Sequence, residues 1–398
     1  MARSKTEPVE TTLMENVPGV TELMETDAYY TADGGAAYLG DSRKLLGELP
    51  DESVDLVVTS PPFALNRKKE YGNKDAEDYN DWFMEFVEGV YRILKPEGSF
   101  IVDIGGGWEK GKPVRSTYHF ELLTRISNKS PFHLAQDFYW YNPAKLPTPA
   151  QWVTIERIRV KDAVNHVWWF SKTERPEADN RRVLKEYSDS QKKLMEDGYV
   201  DKKRPSGHDI SDKFDDPEEA EGAIRPNFWS VVESSDQLPD LVSVLEDAGV
   251  SQELIDVAEE NGVLEDLVES VMSQYVDDNV LKLANTASNT HYLKACRELE
   301  ADPHPARFPR DLPEFFIQLL TENPPYESDD EHPLVLDIFA GSNITGRTAA
   351  NLERNWISFE RQEKYIQSSQ LRFMDMNTVK QMMEDDQSDF GDFAEIDD

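Results

Sequence analysis

The segment Val54-Asp55-Leu56-Val57-Val58-Thr59-Ser60-Pro61-Pro62-Phe63 constrains this chain more than any other. Four of its first five residues are apolar and three are β-branched, the pattern of a parallel strand covered on both faces. The two prolines have no N–H for a sheet ladder, so the strand ends at or before Ser60. They also fix φ, which holds the Ser60 hydroxyl and the Ser60 and Pro61 carbonyls stiffly, with the Phe63 ring just beyond. Open α/β sheets bind their ligands beyond the C-terminal ends of such strands.

Rigid acceptors beside an aromatic face suit one chemistry well. The exocyclic amine of a nucleobase is a poor nucleophile, because its lone pair is delocalised into the ring. Two acceptors that grip its N–H groups draw the nitrogen towards tetrahedral geometry, while an aromatic ring stacks on the base. Ser-Pro-Pro alone is also an ordinary turn, and short motifs are weak by themselves, so the rest of the chain decides.

With 398 residues, 38% apolar and 10% aromatic, the chain is globular and long enough for a large core. No apolar run approaches the ~20 residues of a membrane-spanning helix, and no apolar segment follows the few basic residues at the N-terminus, so neither a membrane partner nor a secretory signal is expected. Cys296 is the single cysteine. That excludes an internal disulfide and a cysteine-based zinc site, leaves no metal expected, and suits a cytoplasmic protein. The formal net charge is −36, with acids dispersed through loops, helices and both ends. This reads as the solubilising surface of a protein from a high-salt cytoplasm, a halophile. At molar salt the Debye length is ~3 Å and the gain from counterion release nearly vanishes, so the acidity neither requires nor excludes a DNA partner.

Along the chain, residues 1–25 lack periodicity and read as a loose tail. Short strands flank the turn Asp33-Gly34-Gly35, and Gly40-Asp41-Ser42 leads into a helical Leu45-Leu46 segment, where Asp41 is placed to cap the helix. After the basic loop Asn66-Arg67-Lys68-Lys69-Glu70, apolar spacing predicts a helix over Tyr79–Leu94. The buried strand Ser99–Ile104 runs into Gly105-Gly106-Gly107, completing a right-handed β-α-β unit. That unit puts Asp103 one strand over from Ser60. Leu134–Trp140 and Val164–Phe170 are further strands, with a rigid aromatic loop, Tyr141 to Pro147, after the first. Residues 174–235 are polar, with basic clusters and late aromatics, and 236–283 form an acidic block with helical periodicity. A helix over Leu312–Leu320 follows.

The second chemical constellation is Leu334-Val335-Leu336-Asp337-Ile338-Phe339-Ala340-Gly341-Ser342, a strand with a glycine turn, then a helix and the strand Trp356–Phe359 ending in Glu360. Gly341 lets the turn approach a ligand and the helix N-terminus offers N–H groups. Glu360 stands about twenty residues beyond Asp337 at the end of the next strand, where an acid binds ribose hydroxyls. The turn lacks GxGxxG spacing, which counts against a dehydrogenase and for another adenosine-containing ligand.

Together the two constellations resemble those of the S-adenosylmethionine-dependent DNA amino-methyltransferases. The chain is most similar to the cytosine-N4 members of the permuted β group, found in type II restriction-modification systems. The resemblance rests on Thr59-Ser60-Pro61-Pro62-Phe63, Leu94-Lys95-Pro96-Glu97-Gly98-Ser99, Asn142-Pro143-Ala144-Lys145-Leu146-Pro147, Val160-Lys161-Asp162-Ala163, His304-Pro305-Ala306-Arg307-Phe308-Pro309 with Leu312-Pro313-Glu314-Phe315-Phe316, and Asp337-Ile338-Phe339-Ala340-Gly341-Ser342. The catalytic motif comes first and the cofactor motif last, the order of that group. The resemblance spans roughly residues 28–174 and 284–372; the acidic block 236–283 looks like an insertion. Asn343 stands where many relatives have a second glycine.

The resemblance implies an α/β fold: a doubly wound, Rossmann-like sheet with circularly permuted motif order and an inserted target-recognition region. It divides the chain into a disordered tail (1–25), a catalytic half (26–174), a recognition region (175–300), a cofactor half (301–372) and an acidic disordered tail (373–398). It implies S-adenosylmethionine as cofactor, double-stranded DNA as partner, and a cognate restriction endonuclease as a companion. Carried over by position, Ser60 and the Pro61 carbonyl accept from the target amine, Pro62 stiffens the turn, and Phe63 stacks on the flipped base. Asp103 bonds the ring edge or takes the departing proton. Asp337, Phe339, Gly341 and Ser342 line the methionine and adenosine moieties, Glu360 holds the ribose, Asp41 meets the adenine amine, and Phe308 and Leu312 close the pocket. Lys68, Lys69, Lys145, Arg181 and Arg182 are the candidate DNA contacts. Transfer is in-line. Cys296, in a predicted helix, reads as a buried small hydrophobe rather than a nucleophile. An adenine-N6 enzyme, and a non-catalytic DNA reader of the same fold, stand as alternatives; the intact Ser60-to-Phe63 motif and the Asp337/Glu360 pair argue against the reader.

Overall fold

The computed structural model describes residues 19–64, 76–142, 145–187, 192, 222–230, 291–305, 309–324, 332–374 and 378–379. The expected turn strands are β1 (Tyr30–Ala32) and β2 (Gly35–Leu39), followed by α1 (Ser42–Glu48). Then come β3 (Val54–Thr59), α2 (Ala76–Ile93) and β4 (Leu94–Gly105), the predicted β-α-β unit. A small hairpin, β5 (Gly107–Trp108) with β6 (Arg115–Ser116), precedes α3 (Tyr118–Lys129), β7 (His133–Tyr141) and β8 (Val164–Ser171). After β9 (Phe228–Ser230) and α4 (His291–Glu298), the chain closes with α5 (Asp311–Leu320), β10 (Leu334–Asp337), α6 (Ile344–Asn351), β11 (Asn355–Glu360) and α7 (Glu363–Ser369).

Nine of these strands form one sheet in the order β1-β2-β11-β10-β3-β4-β8-β7-β9. From β2 to β4 every pairing is parallel, so their C-terminal ends share one edge. Strands β10 and β11, from the far end of the chain, lie between β2 and β3, from its beginning. Helices α1, α2 and α3 pack on one face through Leu45, Leu46, Phe83, Phe86, Val90, Leu122 and Ile126. Helices α5, α6 and α7 cover the other through Leu312, Phe316, Ile317, Ala349 and Ile366. The expected doubly wound architecture is present, with both faces of the central strands buried, as the run of β-branched residues in β3 requires.

Three expected boundaries sit elsewhere. Val20 and Met24 are buried against the core and the Thr26 N–H donates to Glu48, so residues 19–25 are packed rather than loose. Helix α4, grouped by sequence with the recognition region, packs instead on the cofactor half: Tyr292, Ala295 and Cys296 cluster with Leu371, Met374 and Val379. The same cluster carries the ordered chain past residue 373. Cys296 is buried, as expected of a small hydrophobe. The acidic block 236–283 lies outside the described residues, and among the described residues no helix is long and apolar enough to cross a membrane.

Candidate active site

One cavity of about 300 Å³ opens at the C-terminal edge of the parallel strands. It joins the two constellations: Ser60, Pro61, Pro62, Phe63 and Asp103 line one part, and Phe339, Gly341, Ser342 and Glu360 the other.

The catalytic end is built by β3, β4 and β8. Thr59 pairs with Val102 across parallel strands, which sets Ser60 beside Asp103. The Ser60 hydroxyl donates to Asp103 Oδ2 at 2.9 Å, and Asn165 Nδ2 donates to Asp103 Oδ1 at 3.2 Å. Lys145 Nζ donates in turn to Asn165 Oδ1 at 3.1 Å. Burial pushes the Asp103 carboxyl up to about 6, against the opposing pull of Ser60, Asn165 and Lys145. Burial also lowers the Lys145 ammonium from its usual range. An ionised Asp103 only accepts, so it captures the Ser60 proton and leaves the serine oxygen's lone pairs for another donor. Phe63 sits close against Gly105, where an added Cβ would lie 2.6 Å from its ring. The glycine after β4 is thus the seat of the aromatic ring.

The other end is built around Asp337. Its Oδ1 accepts from the Thr59 hydroxyl at 2.7 Å and from the Phe339 N–H at 3.0 Å; its Oδ2 accepts from the Thr345 hydroxyl at 2.7 Å. Asp337 is buried, its pKa is raised by that burial, and it does not line the cavity. It shapes the turn from behind, in place of the expected lining role. Gly341 and Asn343 both adopt left-handed backbone, at φ 53° and 54°. Asn343 fills the missing glycine's position, because asparagine tolerates that conformation and its side chain also caps α6 by accepting from the Gly346 N–H. Glu360 lines the cavity with its pKa raised by burial. Its oxygens accept from the Gly341 N–H at 2.9 Å and the Gln362 N–H at 2.7 Å. Ser342 faces the cavity too, its hydroxyl accepting from Arg372. Trp82 and Phe86, from the apolar stripe of α2, form an aromatic wall with Phe339, whose ring lies 5.0 Å from that of Phe86.

Other expected site residues fall differently. Asp41 lines the cavity, and its carboxylate also caps α1 and pairs with Arg43, which holds it down to about 2. Leu312 is buried in the core below the sheet and does not reach the cavity. Lys145, expected on DNA, lines the catalytic end of the cavity. Arg182 is tied to Glu177 and the Thr321 carbonyl, and the exposed Arg181 pairs with Asp179. Phe308, Lys68 and Lys69 lie outside the described residues. Sequence reasoning missed Asn165, His304, Trp82, Phe86 and Arg43 as lining residues. The polar Asn165-His166 pair at the start of the strand Val164–Ser171 was the available signal for Asn165.

The profile of the DNA methylase family matches residues 54–371, and the chain belongs to that family. It is similar to the type II methyltransferase M.PvuII of Proteus hauseri, at 44% identity over 359 residues that cover 89% of this chain and 88% of that protein. Similarity to the type II methyltransferase M.BglI of Bacillus subtilis is 25% over 344 residues, 83% of each. Among solved structures, the PvuII DNA methyltransferase (cytosine-N4-specific) superposes with a TM-score of 0.61 at 37% identity, covering 91% of this chain and 94% of that one.

Proposed function

We propose that this chain transfers a methyl group from S-adenosylmethionine to the N4 amine of a cytosine within a short duplex DNA sequence. The observation that carries the reading is the single cavity joining the Ser60–Asp103 acceptor pair to the Gly341 turn and Glu360. The cytosine-N4 specificity of the similar PvuII enzyme supports the choice of base.

The residues suit the cofactor. Gly341 leaves the turn open, since a Cβ there would lie 3.0 Å from the His304 ring. Glu360 provides an acceptor for hydroxyls, and the wall of Trp82, Phe86 and Phe339 an apolar face. When bound, the cofactor supplies an electrophilic methyl group on a sulfonium centre. Ser60 and the Pro61 carbonyl grip the amine, and Phe63 holds the ring of a base taken out of the stack. Asp103 fixes the Ser60 proton away from the amine and is the nearest base for the proton the amine sheds. Asn165 and Lys145 hold Asp103 in place. Residues 175–300, outside helix α4, contribute the sequence-reading region, with β9 at the sheet edge beside β7, and a companion endonuclease would cut the same sequence.

The test is single-base methylation sequencing of DNA from cells expressing the chain, beside a purified-enzyme assay at high salt. N4-methylcytosine at one short motif is expected; N6-methyladenine, or no modification by folded protein, would overturn the reading.

A further inference from the structure

The loop between β7 and β8 leaves the cavity wall at Asn142 and Lys145 and returns to it at Asn165. It therefore forms part of the cavity's rim. Four of its large apolar side chains stand in solvent: Leu146 is 73% exposed, Ile155 68%, Ile158 47% and Val160 87%. Single exposed apolar residues are ordinary, but a group on one short loop marks a contact surface. The loop is not poorly packed. Trp152 lies 5.5 Å from Trp108, the Arg159 guanidinium donates to the Pro113 carbonyl at 2.8 Å, and Arg115 pairs with Asp162. Its apolar side chains face outward from an anchored backbone.

The charge of the same loop names the occupant. Between residues 145 and 163 there are four cations, Lys145, Arg157, Arg159 and Lys161, and two acids, Glu156 and the Arg115-paired Asp162, in a chain whose net charge is −36. A base can enter the cavity only by leaving the duplex, and apolar side chains inserted between base steps are a known means of filling and holding such a gap. We propose that Leu146, Ile155, Ile158 and Val160 form a wedge that enters duplex DNA beside the extruded base, with Arg157 against the flanking phosphates. The wedge rests on the proposed methylation of a duplex base and assigns it a surface outside the reaction cavity.

The test compares the wild-type chain with the double variant Ile155→Ser/Val160→Ser, both sites being exposed and outside the cavity lining. Two probes are used: a duplex carrying the methylated motif, and the same duplex with the target base mismatched and so already loosened. The variant should lose at least ~10-fold in kcat/KM on the paired duplex and recover to within ~3-fold of wild type on the mismatched one. Its calorimetric affinity for S-adenosylmethionine and its melting temperature should match wild type. Wild-type activity on the paired duplex would overturn the wedge. So would equal losses on both duplexes, which mark a general docking contact. Loss only of self-association in sedimentation, marking a surface for a second copy, would overturn it as well. Failure of the wild-type chain to methylate either duplex would instead overturn the proposed reaction.

Discussion

Replacing Asp103 with asparagine should remove a pH-dependent cost to stability and lower activity at the same time. Asp103 is 2% exposed, and burial raises its carboxyl from 3.8 to about 6. Each unit corresponds to ~1.4 kcal/mol, so keeping this group ionised costs the folded state ~3 kcal/mol at neutral pH. Because the folded pKa lies above the unfolded one, the favourable contribution is complete below about pH 4. It is lost as pH rises through about 6. Asp103→Asn removes this dependence and keeps an oxygen for the Ser60 hydroxyl, but its amide NH2 replaces the oxygen that accepts from Asn165. Its stability relative to wild type should therefore be ~3 kcal/mol more favourable near pH 8 than near pH 4, on top of a pH-independent loss of ~1–3 kcal/mol for the stranded Asn165 donor. Denaturant titrations at the two pH values and one salt concentration measure this directly. Single-turnover methylation should fall by ~10²-fold or more, the scale of losing one charged orienting group. Wild-type kcat/KM should climb with pH and level off above about 6, and the variant should lack that limb. A stability difference equal at both pH values would refute the account of Asp103 as a buried carboxylate held ionised.

Ser60→Ala should lower turnover by ~10- to 1000-fold while leaving cofactor affinity, read by calorimetry, near wild type. Glu360→Gln should weaken cofactor binding at least ~10-fold, because its amide can accept from only one of the two N–H groups of Gly341 and Gln362. Asn343→Ala should cost ~1–3 kcal/mol in thermal or chemical denaturation, through lost capping and a left-handed backbone; Asn343→Gly should cost less.

The features legible in the sequence were those written in local signals. The apolar run and prolines fixed β3 and its end, the 3- and 4-residue spacing fixed α2, and the glycine turn with Glu360 located the second half of the cavity. What stayed hidden depends on partners far away in sequence. Asp337 looks like a ligand-binding acid until Thr59, 278 residues distant, is seen bonded to it. Lys145 looks like a phosphate contact because nothing near it in sequence shows that Asn165 will draw it inward. Arg182 is claimed by Glu177 and the Thr321 carbonyl. Helix α4 carries too little pattern of its own to reveal that it packs beyond α7.

The interleaving of β10 and β11 between β2 and β3 sets a clock on synthesis. At ~5–20 residues per second, on the order of 15–60 s separate the emergence of β3 from that of β11. Through that interval the nascent chain carries two open strand edges facing a gap, which favours chaperone capture over independent folding. Ser60 is present from early on, but the turn that would face it is not. A chain released before Glu360 therefore holds amine acceptors without the acid-anchored loop. Incomplete products should leave the host's DNA unmarked rather than mark it at random.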